Sequence, residues 1–233
     1  SCRCRAPITP HIEMSDTAAL QRLLTWLSPA FPVGSFAWSQ GLETAISDGR
    51  VKLAADLKDW IGGSLAHGGL RTDAIILAQA WRAAGDAAML RELADLALAL
   101  TAASERQMET TLTGEAFAIA ARAWPSDVFA RLPRPCPYPV AVGAIGGAQG
   151  IGLHDLLLGY LTAAVHSQVS VAVRLVPLGQ TAGLQVMAGL EAAVAALADV
   201  ATSASLDDIG GIAYAADIAQ MRHETLGVRV FRS

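Results

Sequence analysis

The sequence predicts an all-α fold, a compact multi-helix bundle in a single domain with a proline-rich internal linker. Three observations carry that expectation. Apolar residues recur at three- and four-residue steps in one run after another, the spacing that gathers them on one face of a helix. Strand signals are weak, because the β-branched positions Val169, Val171 and Val173 continue a helical pattern instead of starting a strand. Apolar residues make up 53% of the 233 positions and charged residues 16%, against an ordinary charged share of about 25%. That balance allows a sizeable core, and it leaves too little polar surface to cover the exterior, so part of the surface is expected to lie against another protein, including a second copy of the chain.

The elements follow in order. Residues 1–17 read as a flexible N-terminal segment, 18–223 as the helical body and 224–233 as a partner-binding tail. Ser15 or Asp16 caps a first helix whose Leu20, Leu23, Leu24 and Leu27 share a face, and Pro29 and Pro32 stop it. Ser35 is the cap of a second, running through Trp38, Leu42 and Ile46 to the stop at Asp48 and Gly49. A third carries Leu57, Trp60, Ile61 and Leu65 up to Gly68 and Gly69; a fourth carries Ala74, Leu77, Ala78 and Trp81. Residues 87–124 lack proline and keep helical period through Leu90, Leu93, Ala97 and Leu100, which predicts one long helix or two in line. Pro125, Pro133, Pro135, Pro137 and Pro139 mark an extended linker over 125–139. A glycine-rich helix (140–151), a striped helix (154–176), an alanine-rich helix (180–203) and a last one (212–223) complete the chain.

Several functions are excluded or disfavoured at this level. The net charge is −4 and no cluster of Lys or Arg occurs, so no nucleic-acid partner is expected. No formal charge falls between Asp155 and Arg174, long enough to raise a membrane span. Thr162, His166, Ser170 and Arg174 nevertheless form one polar stripe at i+4 steps while Leu157, Leu161 and Val165 line another, the pattern of a buried helix with no membrane to cross. Residues 1–16 lack the apolar core of a secretory signal. The three cysteines, Cys2, Cys4 and Cys136, do not describe a disulfide framework, so a cytoplasmic location is expected. Cys2 and Cys4 with His11 have the chemistry of a soft-metal site, but terminal thiols of no special role are the expected reading.

Self-contained catalytic equipment is hard to find. No glycine-rich phosphate loop ending in Gly-Lys-Ser/Thr occurs, so hydrolysis of GTP or ATP by this chain is not expected. His223 and Glu224 begin a zinc-protease pattern, but Gly227 stands where the second histidine belongs. Gly143 and Gly147, four apart, predict a close helix approach and not a dinucleotide site. His67 and His166 lie in apolar helices and read as core or capping histidines, with His166 a weak metal candidate. Arg71 and Asp73 point to different helix faces. Glu105, Arg106 and Glu109 read as exposed helix pairs worth about 0.3–0.5 kcal/mol. An all-α enzyme with a pocket of His67, Arg71, Asp73 and Arg174 is the rival reading.

Three stretches resist a purely structural account. The first is Ser28-Pro29-Ala30-Phe31-Pro32-Val33-Gly34-Ser35 with Trp38 and Ser39-Gln40-Gly41-Leu42-Glu43, rigid and aromatic. The second is Arg174-Leu175-Val176-Pro177-Leu178-Gly179-Gln180-Thr181. The third is Met221-Arg222-His223-Glu224-Thr225 and the basic, aromatic Arg229-Val230-Phe231-Arg232-Ser233, expected to order only on a partner. In this order, and with Arg71-x-Asp73 and Ser104-Glu105-Arg106, they resemble the urease accessory protein F (UreF) family over residues 20–233. Leu226-Gly227-Val228 departs from the family's usual Gln-Tyr-Ser. The resemblance implies an all-α, homodimeric, non-enzymatic chaperone that binds no cofactor of its own. It also implies the partners: the accessory D/H protein, the GTPase G and apo-urease, with nickel and GTP handled by those proteins. The prolines and Gly34 are then expected to hold a prepared loop at or beside a partner surface; Arg174 is expected to hold the Pro177 turn, the alternative being that with Thr162, His166 and Ser170 it lines a polar route for nickel between proteins.

Overall fold

The computed structural model describes residues 16–233. It contains ten α-helices and, among the described residues, no strand. They are α1 (Thr17–Trp26), α2 (Leu42–Ser47), α3 (Ala54–His67), α4 (Gly69–Arg82), α5 (Ala87–Ala99), α6 (Ser104–Ala120), α7 (Tyr138–Ala148), α8 (Leu153–Leu175), α9 (Gly179–Ser203) and α10 (Tyr214–His223). The fold is all-α, as the sequence predicts. Cys2, Cys4 and His11, read as terminal residues of no special role, lie outside the described residues.

Local chemistry sets the starts. The Asp16 carboxylate accepts from Ala19 N at 2.7 Å, and Asp86 accepts from Ala88 N and Met89 N at 2.9 and 3.1 Å, each answering donors that the first turn leaves unpaired. Pro139 sits in the first turn of α7, where its missing N–H removes nothing.

Helix α4 is central and packs against α3, α5, α7, α8 and α9. Residues 74–78 on α4 are all buried, and so is every residue from Pro139 to Gly146 on α7; α7 is apolar all round there, whereas α4 carries Arg71, Asp73 and Gln79 beside its buried run. The two approach backbone to backbone. A Cβ on Gly143 would stand 2.3 Å from Leu77 O, and one on Gly147 2.5 Å from Trp81 O, so the predicted close approach exists and α4 is its partner.

Two expectations are corrected and an open alternative is resolved. The second helix does not run from Ser35 through Trp38: a 3-10 turn (Ser35–Ala37) is followed by a break at Gln40 and Gly41, whose φ values are +54° and +79°. No Cβ fits at Gly41, because Gln220 N of α10 lies 2.7 Å from where it would be. Of the two forms expected for residues 87–124, the structure has two helices, separated at residues 100–103, where the Thr101 hydroxyl donates to Leu98 O at 2.7 Å. Residues 125–139 are not a free extended linker. They hold a 3-10 turn (Asp127–Ala130), bury Val128, Pro133, Cys136 and Pro137, and press against α6 so closely that a Cβ on Gly114 would stand 2.0 Å from Cys136 O. Burial pushes the Cys136 thiol up to about 12, which suits a packed side chain and not a nucleophile or metal ligand.

Helices α8 and α9 are long and apolar enough to cross a membrane. Half of the apolar window of α8 and a third of that of α9 are buried inside the fold, where the two pack on each other. Leu157, Leu161 and Val165 face the core and Thr162, His166 and Arg174 are exposed, so both predicted stripes of α8 exist.

Candidate functional site

Two buried polar networks lie side by side on α6, and the residues singled out in the sequence meet there. In the first, Arg106 Nη2 donates to Asp73 Oδ2 at 2.7 Å while its Nη1 lies 3.3 Å from Glu109 Oε2. The Tyr160 hydroxyl donates to the same Asp73 oxygen at 3.1 Å. Gln40 Nε2 donates to Glu109 Oε1 at 2.8 Å, and Gln168 Nε2 donates to Gln40 Oε1 at 2.9 Å. The positive φ at Gln40 aims that amide inward, and four elements are thereby tied together: the loop before α2, α4, α6 and α8. Two carboxylates share one guanidinium here. Burial, with the Arg106 charge opposing it, holds both Asp73 and Glu109 above their usual ranges. Glu109 and Asp73 together hold Arg106 above its ordinary value against the opposing effect of burial.

The second network holds the tail. His223 is fully buried, with Nδ1 2.7 Å from Glu105 Oε2 and Nε2 3.0 Å from Glu43 Oε2. Ionised carboxylates only accept, so both contacts are hydrogen bonds when both ring nitrogens carry protons. Glu43 also accepts from Val230 N at 2.7 Å and Phe231 N at 3.0 Å, and Glu105 accepts from Arg229 Nη1 at 2.7 Å. Ser39 N and its hydroxyl both donate to the main-chain oxygen of Ser233, and Arg232 N donates to Ala37 O at 2.8 Å. The Arg232 guanidinium lies over the buried Trp38 ring and that of Arg174 over the buried Phe231 ring, each 5.9 Å from the centroid. The expected loose tail is therefore replaced by one laid against α2 and α6, where the Glu43 and Glu105 carboxylates take over from water as charged acceptors for its N–H groups.

The other candidates fall into place around these networks. Phe31 joins an aromatic cluster with Phe117 and Trp124, at centroid distances of 5.6 and 6.5 Å, while Pro29 and Pro32 are exposed. Gly34, φ +73°, turns the loop, and a Cβ there would meet nothing within 4 Å. Arg222 forms a two-pronged ion pair with Asp48, and the Ser104 hydroxyl donates to Glu224 at 2.6 Å. Arg71 donates to Asp208 O at 3.3 Å, on a different side from Asp73, as its helix position predicts. Arg174 caps the tail, not the turn at Pro177. Pro177, Gly179 and Gln180 are exposed, with Gly179 at φ +72° where α9 begins.

The largest correction concerns Glu105, Arg106 and Glu109. They are not exposed pairs: Glu105 and Glu109 are 8% and 5% exposed, and the Arg106 side chain 12%. His67 and His166 are exposed, and the core histidine is His223. Among the described residues no three His, Cys, Asp or Glu side chains are grouped as a metal site. Tyr160 and Gln168 are not singled out in the sequence, and Ser39 is only as part of its stretch. One signal for the α6 residues was present, since Glu105, Glu109 and Thr113 lead at four-residue steps to the buried Phe117.

Comparison with known proteins decides the family. The UreF family model matches residues 51–191. A Urease accessory protein UreF of Rhizobium etli is 49% identical over 221 residues, covering 95% of this chain and 99% of its own length. Relatives of the same name from Agrobacterium fabrum (48% over 219 residues; 94% and 98%) and Rhodopseudomonas palustris (49% over 223 residues; 93% and 94%) agree. The chain belongs to the UreF family. Both buried networks of this UreF chain draw on residues inside and outside the stretch that the family model covers: Gln40, Glu43, His223 and the tail lie beyond it, while Asp73, Glu105, Arg106 and Glu109 lie within it.

Proposed function

We propose that this chain is an accessory protein of urease maturation that acts without catalysing a reaction itself. It docks the accessory D/H protein and, with it, the GTPase G onto apo-urease, where the nickel metallocentre is assembled and GTP is hydrolysed by the partner. Its relatives' name over nearly the whole chain is the observation that carries this reading. Surface chemistry supports it. On α10 and the tail, Tyr214 is 72% exposed, Ile218 49%, Met221 48%, Val228 85% and Val230 69%. Apolar side chains are thus presented outward by a backbone whose inward side is locked by Glu43 and His223, a prepared docking strip that loses little ordering entropy on binding.

The cytoplasm is the compartment of this reading, and a homodimer its working form, with exposed Leu20, Leu24 and Leu158 available to a second copy. The test is reconstitution of apo-urease with nickel, bicarbonate, GTP, the D/H protein and the GTPase, with and without this chain. Urease activity that depends on the chain, together with co-elution of the partners, is expected. Full activation in its absence overturns the proposal, and so does turnover of a substrate by the purified chain alone.

A further inference from the structure

A cleft of about 360 Å³ opens between the loop after α1, α4, α6 and α8, large enough for a small organic molecule, whose sites run from roughly 300 to 1,000 Å³. Asp73, Arg106 and Glu109 are its buried charged residues, and Arg174 and His166 its exposed ones. Asp73 is the group that a ligand can reach. Its Oδ2 already accepts from Arg106 and Tyr160, at 2.7 and 3.1 Å, whereas its Oδ1 accepts no hydrogen bond among the described residues. Glu109 Oε2 is sealed from solvent, but Asp73 Oδ1 is not, and the Asp73 side chain keeps 13% of its surface. Charge is a second observation. One guanidinium faces two carboxylates, so the ionised trio carries an excess negative charge, and Arg106 is the single cation acting on either carboxylate. The wall beside Asp73 is aromatic: the Tyr160 hydroxyl is bonded to it, and the Tyr138 ring centroid stands 5.4 Å from that of Tyr160.

We infer that this cleft is a binding site for a small organic monocation, a primary ammonium on an apolar or aromatic body, whose N–H groups donate to Asp73 Oδ1. Such a group answers the open acceptor and the excess charge together, and a charge-assisted hydrogen bond is the stronger kind. A neutral donor answers the acceptor alone. An anion meets two carboxylates. A divalent metal ion needs several oxygen ligands, and among the described residues no three His, Cys, Asp or Glu side chains are grouped to supply them. Arg174 and His166 at the mouth oppose a second positive charge, which limits the ligand to one. Tyr138 and Tyr160 give the apolar body its contact and the ammonium a ring face nearby. The inference stands independently of the role in urease maturation, and the same chemistry belongs to a free amine or to a lysine side chain of a bound protein.

Three near-isosteric probes test it: benzylamine, benzyl alcohol and benzoate, titrated into the full chain with binding read by ligand-observed NMR and calorimetry. Benzylamine is expected to bind, and the other two at least about tenfold more weakly. Asp73→Asn is expected to weaken benzylamine about tenfold or more, with its melting curve reporting that the fold is retained. A second measurement needs no variant at Asp73. Burial holds the Asp73 carboxyl above its usual range, so benzylamine affinity should rise with pH across the acid range as that group ionises, the amine staying charged throughout. Glu109 of α6, raised likewise, acts in the same sense. Arg106 of α6, Tyr138 of α7 and Tyr160, His166 and Arg174 of α8 also line the cleft; His166→Gln removes the imidazole and is expected to keep the rise. No benzylamine binding at millimolar concentration, equal binding of the three probes, an affinity that does not rise with pH, or undiminished binding by a folded Asp73→Asn chain overturns the inference. Benzylamine added to the assembled accessory complex separates the sources. Displacement of a partner assigns the cation to a side chain; simultaneous binding assigns it to a free amine.

Discussion

Glu43→Gln tests whether the tail is held by a buried carboxylate. The carboxylate accepts from Val230 N, Phe231 N and His223 Nε2 at 2.7, 3.0 and 3.0 Å. A hydrogen bond to a charged group contributes about 1.5–3 kcal/mol. The glutamine amide has one acceptor and one donor end. Either its NH2 faces Val230 N, losing one such bond, or it faces Phe231 N and His223, losing two. Because neighbouring losses are not additive, the expected destabilisation is about 2–5 kcal/mol. Freed tail residues also expose Phe231, now 6% accessible. Urea unfolding gives the first number, and trypsin cleavage at Arg229 and Arg232 reports the tail directly. Glu224→Gln is the internal control, since Glu224 is exposed and makes a single contact with Ser104; its cost is expected to stay below about 1 kcal/mol. If Glu43→Gln loses no more stability than this control and its tail resists trypsin as the wild type does, the carboxylate is not the latch.

Other outcomes follow from the same geometry. Gly143→Ala puts a methyl 2.3 Å from Leu77 O, so a melting-temperature drop matching at least about 1–3 kcal/mol is expected; an unchanged melt refutes the close α4–α7 contact. Gly34→Val meets no atom but forces a β-branched residue to φ +73°, at a cost of about 1–3 kcal/mol, and should weaken co-purification with the D/H protein or the GTPase. Unimpaired complex formation by the folded variant removes the loop from the docking surface. Asp73 is held above its reference value of 3.8 by burial, so the folded chain binds more protons than the unfolded one just above that pH. Its contribution is full below 3.8 and is lost as pH rises through the folded value, so the stability gap between wild type and Asp73→Asn should shrink with rising pH. Urea midpoints taken across the acid range read this, and a gap that widens contradicts the sign.

Helix existence and type were legible because apolar period and capping chemistry are local. Leu157, Leu161 and Val165 are buried as their spacing predicts, and Asp16 caps α1. What failed was the reading of charge. Glu105, Arg106 and Glu109 look like an ordinary solvated helix face, and their burial depends on partners 33 to 124 residues away, among them Asp73 and Arg229. Short-range patterns hold no trace of such pairs. Gln40 misled for the reverse reason: a residue inside a helical period was taken out of it by the approach of α10 at Gly41. The resemblance to UreF singles out Glu43, His223 and Phe231 without placing them together; the structure joins them through the Glu43 carboxylate.

The latch also constrains how a partner engages the tail. Lifting Val230 and Phe231 away would leave Glu43, 5% exposed, with His223 as its remaining strong partner, and would leave Glu105 without Arg229. A partner that pulled the tail out would have to supply matching N–H donors or let water reach both carboxylates, since buried unpaired charge is destabilising by several kcal/mol. Docking onto Val228 and Val230, which already face outward, needs neither. Of the two routes, the one that leaves the inner bonds intact has the smaller reorganisation to offset, so the outer face of the tail, and not its extraction, is where association with this chain is expected to begin.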